Sequence, residues 1–145
     1  MPTTDHTSFQ HAIRRTLEQH SGNDGDARSI AEATIGTWRR MAARLAPVIG
    51  AKGVDILFRR SLHMTSISFR WLEIAENHED NADPAASILA RLSSREAETA
   101  AEAGYTLLVT FTELLATLIG ESLTVRLLLP AWVPPSPESK QETTS

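Results

Sequence analysis

The side chains able to do chemistry are few and widely spaced. His6 and His11 stand five apart, so on a helix they diverge by about 140° and share no metal ion by that spacing. His63, in Ser61-Leu62-His63-Met64, falls inside a strong helical pattern. A phosphoacceptor pattern resembling His-x-x-Lys-Gly fails there, because Ser66 and Ile67 stand three and four residues later. It is expected to be a structural or surface histidine. Glu113 and Glu121 resemble half of a carboxylate metal bundle, but the Glu-x-x-His element of such bundles is missing. Solvent-facing helix positions are the expectation for both. Gly22, Gly25, Gly50 and Gly53 read as turn residues without a P-loop Lys-Ser/Thr or a dinucleotide fingerprint. No nucleophile-base-acid set can be assembled without inventing tertiary contacts. The absence of cysteine removes thiolate metal sites, disulfides and cysteine nucleophiles. The expectation is a chain that is not an enzyme and takes no cofactor or metal.

Arginine is the one chemically versatile residue that clusters: Arg14-Arg15, Arg39-Arg40 with Arg44, and Arg59-Arg60. Arg40 and Arg44 lie one helical turn apart and could clamp an anion. Arg39, Arg40, Arg44, Arg59 and Arg60 therefore form a candidate partner or anion face, against the simpler reading of solvated helix edges. Up to position 72 the chain carries ten basic and six acidic residues, and beyond it four and twelve, within a formal charge of -4. Such asymmetry suits salt bridges between halves, a complementary dimer or docking of an acidic partner. The net negative charge and the lack of a helix-turn-helix, RNA-recognition or zinc-finger pattern make nucleic acid an unlikely partner.

The elements that must position these residues are helical throughout. Thr4 or Asp5 can cap a first helix to about His20, with Phe9, Ala12 or Ile13, and Leu17 on its stripe. The run 21–25 is a turn. Ile30, Thr34 or Ile35, Trp38, Met41 or Ala42, and Leu45 mark a second helix expected to stop or kink at Pro47. After a turn at Gly50–Gly53, Val54, Leu57 or Phe58, Leu62, Phe69 and Leu72 mark a third, to about Glu76, with Asp55 and Arg59 in pairing order. Residues 77–83 form a charged loop, and Asp83-Pro84 opens a fourth helix. Ser93 and Glu96 match a capping box that starts a fifth. It continues past Gly104, where a bend is possible, and past a kink near Gly120 to Pro130. No internal repeat and no strand-like alternation are visible. Residues 1–133 are expected to form one bundle of five to six helices, and 134–145 a disordered polar tail.

Within this all-α bundle the C-terminal helix is the most apolar element. Leu107, Leu108, Phe111, Leu114, Leu115, Leu118 and Ile119 fall on one side, and Val109, Ala116 and Leu123 widen the arc to about 200°, well beyond the ~100° stripe of a surface helix. Such a helix must be central, or must lend a second face to another chain. The stretch Tyr105–Leu129 is long enough to cross a bilayer, but Glu113, Glu121 and Arg126 interrupt it, so a buried helix without a membrane role is expected. The polar start of the chain gives no secretory signal, and cytoplasmic location is the default.

Two stretches, Arg44-Leu45-Ala46-Pro47-Val48-Ile49-Gly50 through Ser61-Leu62 and Phe111 through Leu128, resemble small uncharacterised all-helical bacterial proteins. The resemblance covers under a third of the chain. It implies a bacterial origin and an Ile-Gly-Glu-Ser-Leu-Thr turn between two helices, and no activity or site residue. Together these readings point to a regulatory or signalling protein that acts through a protein partner, expected as a homodimer. The alternatives are a sensor or carrier holding a small apolar ligand, and a phosphotransfer protein using His63. Trp38, Phe58, Phe69, Phe111 and Leu115 are the candidate apolar ligand or dimer face.

Overall fold

The computed structural model describes residues 10–17, 26–72 and 84–132. Among them there are five helices and no strand, so the protein is an all-α helical bundle. Helix α1 covers residues 10–17, α2 is Ala27–Ser68, α3 is Pro84–Ser93, α4 is Ala97–Ile119 and α5 is Glu121–Trp132. A 3-10 turn, Arg70–Leu72, follows α2. The expected caps at Thr4 and Asp5, the turn 21–25, the loop 77–83 and the tail 134–145 lie outside the described residues.

The helix boundaries follow from local chemistry that the sequence shows only in part. Asp26 caps α2 by accepting a 2.9 Å bond from the Ser29 N–H, and hydrogen bonding from the Ser29 hydroxyl first, then from that N–H, holds its carboxyl below the ordinary carboxylate pKa. Pro47 does not end the helix. It denies the Ala43 carbonyl its usual partner, but Ala43 is exposed, so water can satisfy that oxygen. The break comes at Gly50, at φ 85° and ψ 152°, and the helix resumes at once; the expected four-residue turn shrinks to one glycine. Gly120 separates α4 from α5 in the same way, at φ 96° and ψ 150°. Only glycine enters this region without strain. Pro130 likewise lies inside α5 rather than after it. The expected capping box is absent: the Ser93 hydroxyl donates back to the Leu89 carbonyl at 2.8 Å, and Glu96 precedes α4 without a side-chain cap bond.

These breaks expose a repeat that reading along the chain does not show. Asp26 and Glu96 precede the two long helices, Ala27 and Ala97 open them, and Ile49-Gly50 and Ile119-Gly120 break them, each pair 70 positions apart. At the same offset Ala31, Glu32, Ala33, Leu45, Ala46 and Leu57 meet identical residues at Ala101, Glu102, Ala103, Leu115, Ala116 and Leu127. Burial follows suit: Ala33, Thr34, Thr37, Trp38, Met41 and Leu45 are matched by buried Ala103, Gly104, Leu107, Leu108, Phe111 and Leu115. A short helix precedes each long one, burying Ile13 and Leu17 from α1 and Ile88 and Leu92 from α3. The domain is two copies of one unit: short helix, long helix, glycine elbow, returning helix.

The copies pack about their long helices. Thr34 lies against Gly104, its counterpart in the other copy: a Cβ at Gly104 would stand 2.5 Å from Thr34 Oγ1 and 3.1 Å from Cγ2. One turn on, Trp38 meets Phe111 edge-on at 4.7 Å. Residue number rises in the same direction on both sides, so the first segment of α2 and α4 run side by side in parallel. Gly104 serves close approach and not a bend. The bonds Arg40 Nε to the Ala131 carbonyl (3.2 Å) and Arg44 Nε to the Leu127 carbonyl (2.5 Å) lay α5 antiparallel along the first segment of α2. The exchange is reciprocal at the short helices. Thr16 donates to the carbonyl of Trp132 at the end of the second copy, and Arg91 Nη1 to that of Trp71 at the end of the first, at 2.7 Å.

Gly104→Ala should therefore destabilise the fold by about 1–3 kcal/mol in urea unfolding, although alanine is the better helix former. Adding Thr34→Gly should recover most of that loss; equal, additive losses would show that the two positions are not in contact.

Candidate functional site

The residues expected to form an apolar ligand or dimer face are interior to the single chain. Trp38 stacks on Phe58 with ring centroids 4.2 Å apart and planes at 17°, while Phe111 closes on Trp38 at 79°. Rings at these distances are in van der Waals contact and leave no room for a ligand ring between them. Leu115 is fully buried beside them in the core. Phe69 belongs elsewhere: half-buried, it meets Trp71 edge-on at 6.1 Å, and Arg95 lies 4.8 Å over the Trp71 ring. The five residues thus divide between the central core and a small aromatic pair at the end of α2.

The arginines also divide. Arg40 is half-buried, and its guanidinium serves the Ala131 carbonyl and the Thr37 hydroxyl, the latter at 3.2 Å. Burial pushes its pKa down from the ordinary arginine value. Arg44 serves the Leu127 carbonyl. The last carbonyls of a helix lack intrahelical partners, so Arg40 and Thr16 act as caps for α5 from across the bundle. Arg40 and Arg44, one turn apart as their spacing predicts, both reach across to carbonyls of α5. Arg39 is exposed beside them. Arg59 and Arg60 are exposed on the second segment of α2, where Arg59 pairs with Asp55 at 2.9 Å, as their spacing predicts.

His63 is exposed on that same segment, and its carbonyl accepts a 2.7 Å bond from the Ser66 hydroxyl. Glu113 and Glu121 come together across the Gly120 elbow, where with Ala116 and Thr117 they line an open cleft of about 430 Å³. Among the described residues no three histidine, aspartate or glutamate side chains converge on one point. A second cleft of about 190 Å³ lies between Ser29, Glu32, Ala33, Gly36 and Arg40.

What sequence reasoning missed is a second apolar face on α2. Ile56 is 59% exposed, Ile67 69% and Met64 41%. On the opposite side of the same helix Val54, Phe58, Leu62 and Thr65 are buried. At 100° per residue Ile56, Arg60, His63 and Ile67 fall within an arc of about 60°, with Arg59 and Met64 on its edges. Periodicity does not mark this face, because the positions i, i+4, i+7 and i+11 from Ile56 are Ile56, Arg60, His63 and Ile67, only two of them apolar. Helix α4 is long and apolar enough to cross a membrane by length and composition, yet Leu107, Leu108, Phe111 and Leu115 are fully buried within the bundle. No known protein family matches the chain, and neither a curated protein nor a solved structure is similar to it.

A packed aromatic core predicts a large stability loss on truncation. Phe58→Ala should cost about 3–5 kcal/mol in chemical unfolding; a loss below ~1 kcal/mol would mean that the ring faces a ligand space.

Proposed function

We propose that the protein works by recognition: it binds another protein through the outer face of the second segment of α2. The observation that supports this reading is the concentration of exposed Ile56, Met64 and Ile67 on one rigid helix whose opposite side is anchored in the core. Scattered apolar side chains on a surface are ordinary, but a stripe repeated over three helical turns and interleaved with Arg59, Arg60 and His63 has the composition of a docking site. Regulation or signalling is the role that fits a module of this kind.

A second reading, self-association as a homodimer, is favoured by a different surface. Leu118 is 63% exposed at the end of α4, and Leu123 and Leu129 are exposed on α5. These are what remains outside of the wide apolar arc of the C-terminal third.

Photoreactive phenylalanine analogues at positions 67 and 118, introduced singly into the full chain in the cells that make it, separate the two. Position 67 should give an adduct with a second protein, and position 118 an adduct of twice the chain's mass if it forms the homodimer seam. No adduct from 67 under conditions where the protein is folded would contradict the first reading, and none from 118 the second.

A further inference from the structure

We infer that the partner of this face is an acidic amphipathic helix, an inference that rests on the recognition reading above and gives its partner a chemistry. The face has the length for a helix. From Ile56 to Ile67 is eleven residues, about 16 Å of rise, which is the contact an incoming helix makes through residues at i, i+4, i+7 and i+11. Its two ends are apolar and its middle is basic. Ile67 and Ile56 are the most exposed apolar side chains of the segment, at 69% and 59%, while exposed Arg60 and His63 lie between them. Asp55 is the one carboxylate in residues 51–68, and it is engaged with Arg59 at 2.9 Å. Lys52, and Arg70 just beyond the helix, are exposed and extend the positive character at either end. A complement therefore carries apolar residues in register with Ile56 and Ile67 and carboxylates opposite Arg60 and His63.

Charge selects among the occupants. A second copy packed isologously on this face would bring together two surfaces of the same positive sign, each with Lys52, Arg59, Arg60 and Arg70 against the single carboxylate Asp55, and like charges oppose association. An anionic lipid surface would satisfy the cations. However, the helices that lie in membrane interfaces bury a broad apolar side with large side chains. Here the broad apolar side, with Val54, Phe58 and Leu62, is already buried in the bundle. A narrow stripe of three apolar side chains suits a helix groove better than a bilayer.

The test is fluorescence anisotropy on the full chain with two synthetic peptides. Both carry leucine at i and i+11, in register with Ile56 and Ile67; at i+4 and i+7, opposite Arg60 and His63, one carries glutamate and the other lysine. The wild-type protein should bind the glutamate peptide saturably and at least about tenfold more tightly than the lysine peptide. Ile67→Ser should weaken that binding by about fivefold or more. Arg60→Glu should weaken it similarly and improve binding of the lysine peptide, which loss of folding could not do; circular dichroism checks that both variants stay helical. Absence of binding, equal binding of the two peptides or indifference to both substitutions would overturn the proposal. So would an Ile67-dependent affinity for phosphatidylserine vesicles without affinity for the glutamate peptide. A protein adduct from position 67 combined with failure of the glutamate peptide would leave recognition standing and remove only the acidic helix.

Discussion

How closely two packed helices approach is set by the size of the side chains at their point of contact. Here that point is Thr34 against Gly104, where no Cβ fits. The rest of the architecture is arranged around it. Beyond that contact Trp38 lies between Phe58 and Phe111, and each long helix then turns at a glycine held at positive φ. The returning segments are thereby delivered to the flanks. α5 comes to lie antiparallel along the first segment of α2, where Arg40 and Arg44 hold its carbonyls. Because the contacting residues are counterparts in a repeat of 70 positions, the constraint is a property of the pair of copies, and each copy supplies the surface that the other must bury.

This arrangement explains which parts of the fold were legible in the sequence. Periodicity found the helices, because the stripe Thr34, Trp38, Met41, Leu45 is a burial pattern, and burial is what a 3.6-residue period reports. It found that Leu107, Leu108, Phe111 and Leu115 belong in the interior, and all four are fully buried. Glycine marks the joints at Gly50 and Gly120, where both long helices break. Proline is the poorer guide: the stop or kink expected at Pro47 and the end expected at Pro130 do not fall there, and both lie within helices at positions where the unpartnered carbonyl belongs to an exposed residue. The repeat stayed hidden because the identical pairs are scattered in short runs among differing residues, and several central positions differ: Trp38 corresponds to Leu108, and Met41 to Phe111.

The candidate site shows the same limit more sharply. Sequence reasoning put the aromatic residues and the arginine pairs on the functional surface, because those side chains carry the strongest recognition chemistry. In the fold most of them are needed internally. Trp38, Phe58 and Phe111 pack on one another in the core, Arg40 caps the end of α5 and Arg44 holds the Leu127 carbonyl. The proposed face, Ile56, Met64 and Ile67 with Arg60 and His63, is built of residues of ordinary type that stand out only because the opposite side of the helix is anchored. That could be decided only by knowing what packs against Phe58.

The central claim, that two equivalent units form one core about the α2–α4 contact, is tested most directly by native-state hydrogen exchange on the full chain. The account predicts that the slowest amides lie in the matched stretches 31–45 and 101–115. They should open together with the same denaturant dependence, as parts of one cooperative unit. Protection of α2 with early, independent exchange across α4 and α5 would contradict it.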